Sequence, residues 1–328
     1  MEFVMERIER LLSDLQKAIY PISLPITQYY FRKCNQRDLQ TADFTNWEPF
    51  DPKKKPWDGF REKYWFATEI EFPESFLGFP VEFHITTGVE GQQDLIKPQI
   101  YFYLDGKLKQ GLDINHRTVL ITEKAKSKEK HKIMLYAYTA DNTKFLELNT
   151  ELAIVDREVK ALYYDLWVPF QVAKLLESEN EHRIDILNQL NHTVNLLDFS
   201  VWNSPKFHAS VCEARNYLEE EFYQRMCDSQ KEILVKWVGH SHIDVAWLWT
   251  LDITREKAAR TFSGMLELMK QYPEFIFTAS QPQLYRFIQE DEPELYQEIK
   301  KKVQEGSWDP DGAMYLEADC NLTSGESL

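Results

Sequence analysis

His242 and Asp244 stand two residues apart in the segment Gly239-His240-Ser241-His242-Ile243-Asp244-Val245-Ala246-Trp247-Leu248-Trp249. Side chains alternate between the two faces of an extended chain, so this spacing sends an imidazole and a carboxylate out on the same side. Such a pair can begin a metal site. His240 falls on the same face, so an ion could recruit any two of the three, or His240 could orient a ligand from behind. An isolated His-x-Asp also arises from a surface histidine beside a helix-capping aspartate. The context points elsewhere, because the apolar run Ile233 to Val238 precedes the pair and Trp247 and Trp249 follow it. Aromatic faces suit the apolar faces of sugar rings, and a metal beside an aromatic platform suggests carbohydrate chemistry.

A second group of candidates lies near the end of the chain, where Asp309, Asp311, Glu317 and Asp319 cluster. Most acidic runs are solvated loops. Here the apolar trio Met314-Tyr315-Leu316 reads as a short strand, which would put Glu317 and Asp319 at its carboxyl end. A carboxylate so placed could complete a metal site or attack an anomeric carbon.

The elements that must position these groups change character along the chain. Residues 1–20 read as an amphipathic helix, with Ile8, Leu11, Leu12, Leu15 and Ile19 near helical spacing. From about Tyr64 to Val155 the period is two, as in Val81 to Thr86 and Gln99 to Leu104, with Asp105-Gly106 as a turn. Short strands at this spacing predict an antiparallel β-sandwich. Residues 157–230 read as a helical linker, with stripes such as Leu162, Leu166, Phe170 and Ala173. From Ile233 onward short strands alternate with helices: a strand at 233–238, a helix from Thr254 to Gln271, a strand at 275–278 and further helix over 283–304. That alternation predicts βαβ units and a parallel sheet, whose chemistry sits at the carboxyl ends of its strands. The expected division is therefore 1–156 (N-terminal helix and sandwich), 157–230 (linker) and 231–328 (start of an α/β domain).

Composition narrows the partners. Of 328 residues 43% are hydrophobic and 28% charged, as in ordinary globular chains. A net charge of -15 argues against nucleic acid and anionic membranes, which select basic surfaces. No apolar run approaches the ~20 residues of a membrane span, and Met1 to Tyr20 is too charged for a signal peptide. Cys34, Cys212, Cys227 and Cys320 match no C-x-x-C spacing, so free thiols and a cytoplasmic location are expected. A homodimer is a further expectation.

The segments GHSHIDVAWLW and MYLEADCNLTSGESL resemble, in order and spacing, the two N-terminal signature motifs of glycoside hydrolase family 38, the zinc-dependent retaining α-mannosidases. Ala258 to Ser263 and the β-rich region before them resemble the bacterial, cytoplasmic type. The resemblance implies a seven-stranded, barrel-like α/β catalytic domain, of which 231–328 is the first part, and one Zn²⁺ per active site. It implies His242 and Asp244 as zinc ligands and Asp319 as both zinc ligand and catalytic nucleophile. It implies Trp247 as the ring that stacks on the cleaved mannose, and an α-mannoside oligosaccharide as substrate. The family's fourth ligand, a later histidine, and its acid/base carboxylate have no counterpart here. Both are expected beyond Leu328, in a longer protein, and the 328 residues alone should hydrolyse little. Ala318 stands where the family commonly has proline, and Leu316 where valine is usual; neither change touches a ligand position.

Two other readings use the same residues. A metal-dependent amidohydrolase or deacetylase also opens its metal site with His-x-His or His-x-Asp on a strand, but does not account for the tryptophan pair. A non-catalytic carbohydrate-binding protein could use the aromatic-rich strands of 64–155, although aromatic residues alternating in strands more often form a core.

Overall fold

A computed structural model of the protein describes residues 2–35, 37, 44, 46–54, 57–89, 98–140, 145–226, 235–310, 312 and 314–317. The predicted N-terminal helix is α1 (Glu2–Ala18), and its apolar stripe of Ile8, Leu11, Leu12 and Leu15 is buried. Ten strands follow: β1 (Ser23–Pro25), β2 (Tyr29–Cys34), β3 (Glu48–Phe50), β4 (Lys63–Glu71), β5 (Val81–Thr86), β6 (Gln99–Leu104), β7 (Lys107–Leu112), β8 (Thr118–Thr122), β9 (Lys130–Tyr138) and β10 (Asn149–Ile154). They make two antiparallel sheets, ordered β3-β2-β4-β9-β6-β7 and β1-β10-β5-β8. The predicted Asp105-Gly106 turn joins β6 to β7, and the Asp105 carboxylate accepts from the Lys132 amide at 2.8 Å.

The two sheets share one apolar core. Phe66, Phe102 and Leu135 of the larger sheet meet Phe83 and Leu152 of the smaller, with the Phe83 and Phe102 ring centroids 4.9 Å apart. Their sequence neighbours Trp65, Tyr101, Tyr103, Met134 and Tyr136 point to the other face of the larger sheet, and they too are buried. A strand covered on both faces needs apolar residues at every position, which explains the unbroken aromatic runs. His84 and His131 lie in β5 and β9, where they pair with Glu82 and Asp105.

The helical segment comprises α2 (Arg157–Leu175), α3 (Glu181–Leu196) and α4 (Pro205–Tyr217), and the last continues into a π-helical turn over Leu218–Gln224. Each helix begins at a side-chain cap, from Asp156, Asn180 and Ser204 respectively. α1 packs on this segment and shares its core with Leu162, Leu166, Leu187 and Val211 rather than joining the core of the sheets.

The remainder is β11 (Gly239–His240), α5 (Leu251–Gln271), β12 (Phe277–Thr278), α6 (Pro282–Asp291), α7 (Pro293–Glu305) and β13 (Trp308–Asp309), with the three strands parallel in the order β11-β12-β13. Among the described residues these strands form an open sheet and no closed barrel. The strand expected over 233–238 begins to pair only at Gly239, whose amide donates to Ile276 O at 2.8 Å; 235–238 carry no pairing, and 233–234 lie outside the described residues. Met314 to Leu316 is not a strand but a bent segment. The third strand forms at Trp308 because that indole fills the core against Phe262 and Phe277. Among the described residues no helix is long and apolar enough to cross a membrane.

α5 lies against the second face of the larger sheet. Ala258, Ala259, Phe262 and Leu266 join Trp65, Tyr101 and Tyr136 in one core. Gly111 in β7 permits the close approach, since a Cβ there would meet Arg260 Cβ at 2.5 Å. Glu256 fixes the register. Its carbonyl accepts from Tyr101 Oη at 2.7 Å, and its carboxylate accepts from Tyr136 Oη at 3.0 Å and Lys63 Nζ at 2.9 Å.

Candidate active site

Three parallel strands put their carboxyl ends on one edge, and the candidate residues follow those ends. His242 comes just after β11, Ser280 just after β12, and Glu317 closes the segment that returns after β13. His242 Nε2 lies 3.0 Å from Asp244 Oδ1, and its Nδ1 lies 3.1 Å from Glu317 Oε2. Ser280 Oγ donates to the same Glu317 oxygen at 3.4 Å, while His240 Nε2 stands off at 3.8 Å. The Asp244 hydrogen bond raises the pKa of His242; partial burial opposes this, and Glu317 adds to the rise. Gly312 lets the returning segment reach this edge, since a Cβ there would lie 2.1 Å from Ser280 O.

The loop from Ser241 to Thr250 takes its shape from α5. Thr254 is fully buried in the first turns of that helix. Its Oγ1 accepts from Ala246 N at 3.0 Å and Trp249 Nε1 at 3.1 Å, and donates to Asp244 O at 3.4 Å. Ala246 has φ +73°, a left-handed conformation unfavourable for a residue with a side chain, and the Thr254 bond holds it there. The turn at Ala246 leaves Trp247 more than half exposed, edge-on to Trp249 with centroids 5.5 Å apart. The buried Gln281 donates from Nε2 to Ile243 O at 3.0 Å, tying the loop to the start of α6.

Of the residues singled out in the sequence, the structure brings His242, Asp244 and Glu317 together and leaves Trp247 exposed on the loop that follows Asp244. Asp311 and Asp319 lie outside the described residues. Thr254, Ser280 and Gln281 were not singled out. The threonine four residues after the helix-capping Thr250, and the polar Ser-Gln pair ending a strand, were the available signals.

Residues 232–328 match the N-terminal domain of the glycosyl hydrolases family 38. That segment is similar to the family's N-terminal domain. Alpha-mannosidase G of Dictyostelium discoideum is 29% identical, over 100% of this chain and 31% of its own length. Alpha-mannosidase 2C1 of Homo sapiens is 29% identical over 99% of this chain and 32% of its own length. An alpha-mannosidase of Saccharomyces cerevisiae is 31% identical over 57% of this chain and 18% of its own length. The chain thus spans about a third of the length of the first two relatives. The family 38 segment contains both motifs and all of β11 to β13.

The family implies a zinc ion, and the donors can be tested against it. Imidazole nitrogen and carboxylate oxygen are zinc ligands, and two donors 3.0 Å apart can share one ion at bond lengths of ~2.0–2.2 Å. Among the described residues no group of three His, Cys, Asp or Glu forms a metal-holding set. The third ligand expected from the motif is Asp319.

Proposed function

We propose that the chain carries the sugar-gripping and nucleophilic part of a retaining α-mannosidase active site. The observation that carries this reading is the paired His242 and Asp244, 3.0 Å apart at the carboxyl edge of the parallel strands, on the loop that also carries the exposed ring of Trp247. The family 38 match and the mannosidase relatives support it.

His242, Asp244 and Asp319 would hold the metal. When bound, that ion acts as a Lewis acid on the cis pair formed by the axial 2-hydroxyl and equatorial 3-hydroxyl of mannose. Trp247 offers its face to the apolar side of the ring. Asp319 supplies the carboxylate oxygen that bonds to the anomeric carbon as the glycosidic C–O bond breaks, and a second carboxylic acid protonates the departing oxygen. Water then releases mannose and restores Asp319. Glu317, on Nδ1, would keep His242 oriented so that Nε2 faces the ion it shares with Asp244.

The test joins metal analysis to turnover of an aryl α-mannoside by the full-length protein, in which the fourth ligand and the acid/base residue are expected, with His242→Ala and Asp319→Asn as variants. The reading expects zinc bound near one equivalent, lost in His242→Ala, and hydrolysis lost in both. Wild-type turnover by Asp319→Asn would remove the nucleophile assignment.

A further inference from the structure

A cleft of about 630 Å³ runs between α5 and the β7–β8 side of the sheets and reaches His242 and Trp249 at one end. Its size falls within the ~300–1,000 Å³ common for small-ligand sites. The chain as a whole is acidic, yet two cations one turn apart on α5, Lys257 and Arg260, line this cleft together. Among the described residues neither forms an ion pair. The acidic groups of the cleft are engaged elsewhere: Asp113 with His116 at 3.0 Å, Glu82 with Lys160 at 3.1 Å, and Glu267 with Lys270 at 2.7 Å. Arg260 donates to Gln99 Oε1, and Lys257 Nζ lies over the Trp249 ring, 4.2 Å from its centroid.

Both residues are partly buried; the carboxylates that act on them, Asp113 on both, Asp244 on Lys257 and Glu256 on Arg260, form no ion pair with either among the described residues, and a partly buried cation without a paired counter-charge is unfavourable. Burial, and then repulsion from Arg260, brings the Lys257 ammonium down to about 8; burial lowers Arg260 as well. An oxyanion seated between them would relieve both penalties and accept charge-assisted hydrogen bonds from a guanidinium and an ammonium. Trp249 links this pair to the candidate site, since its indole touches Lys257 on one side and bonds Thr254 on the other.

We infer that the cleft is an oxyanion site in which Lys257 and Arg260 take a phosphate group, carried on a sugar whose other end reaches the His242–Asp244 pair. The sugar-bearing half of this inference rests on the proposed mannoside chemistry; the phosphate site does not.

The experiment is calorimetric titration of the whole chain with inorganic phosphate, mannose and mannose 6-phosphate, repeated on Lys257→Gln and Lys257→Arg. Thermal unfolding establishes that each variant folds. Arg260 is left intact because its stem packs on Gly111. Phosphate should bind the wild-type chain, about tenfold more weakly after Lys257→Gln and within about threefold of wild type after Lys257→Arg. Tighter binding of mannose 6-phosphate than of either mannose or phosphate supports the sugar-borne anion. Equal binding of phosphate and mannose 6-phosphate overturns the sugar-borne half and leaves a site for the free ion. No phosphate binding up to about 100 mM, or equal affinity in wild type and Lys257→Gln, overturns the whole proposal. Because phosphate binding is read without turnover, loss of the mannosidase reading alone leaves this result standing.

Discussion

His242 Nδ1 lies 3.1 Å from Glu317 Oε2, so one imidazole joins the two acidic motifs of this chain. Asp244 occupies the other ring nitrogen. A ring held from both sides has its orientation fixed, and a carboxylate on the far nitrogen also raises the basicity of a metal-binding histidine. Glu317 is therefore expected to tune the site rather than to bind the metal. Glu317→Gln should weaken zinc binding about 10–100-fold, whereas His242→Ala should remove it. Competition with a zinc-sensitive dye measures both, and equal effects of the two substitutions would count Glu317 as a ligand.

Thr254 holds the loop that carries Asp244 and Trp247. Thr254→Val keeps the shape of the side chain but leaves Ala246 N and Trp249 Nε1 without their acceptor. An unsatisfied donor costs about 1–3 kcal/mol when fully buried, and these two are only partly shielded, so a total loss of about 2 kcal/mol is expected in urea unfolding. The tryptophan fluorescence should shift as the indole pair loosens, and an unchanged unfolding midpoint would show that the loop does not depend on this hydroxyl.

Glu256 is the point at which α5 is fixed to the sheet. Its carboxylate and the Lys63 ammonium are both largely buried, and removing one partner of such a pair leaves the other uncompensated. Glu256→Gln should destabilise the fold by about 2–3 kcal/mol, and adding Lys63→Met should recover part of that loss. A double-mutant cycle by denaturant unfolding reads the coupling; strictly additive losses would show that the pair does not act as a unit.

Acid should act through Glu82. Burial pushes this carboxyl up, but the His84 hydrogen bond and the Lys160 ammonium outweigh it and bring it down to about 2. A depressed folded value means that the group stabilises the fold above its unfolded pKa of about 4.3, and that this contribution drains away as pH falls towards 2. It amounts to about 3 kcal/mol. Stability measured between pH 6 and pH 2 should fall less steeply in Glu82→Gln than in the wild-type chain, and parallel curves would contradict the assignment.

The sequence alone named the candidate residues and outlined most of the scaffold. Local pattern carries that much. A period of two marked β5 and β6 at their observed bounds, and a period of 3.6 marked α1 and α5 to within a few residues. His242, Asp244 and Trp247 could be singled out as candidates because a short, dense motif holds them within one loop. The strand expected at 275–278 contains β12, but those expected at 233–238 and 314–316 were misplaced because two-residue strands such as β11 and β13 are too brief for periodicity; pairing with β12 and the burial of Trp308 decided where they lie.

Only the tertiary structure decided what lies between distant segments. It placed Glu317 on His242, laid α5 on the far face of the larger sheet through Gly111 and Glu256, and drew α1 into the helical core instead of the sheet core. Such pairings depend on which buried faces fit together, and an apolar pattern states that a face is buried without naming the face that covers it. The cleft with Lys257 and Arg260 is the clearest case. In the sequence they are two cations on a helix, and only the packing of that helix against β7 partly buries them beside the candidate site without an acidic partner among the described residues.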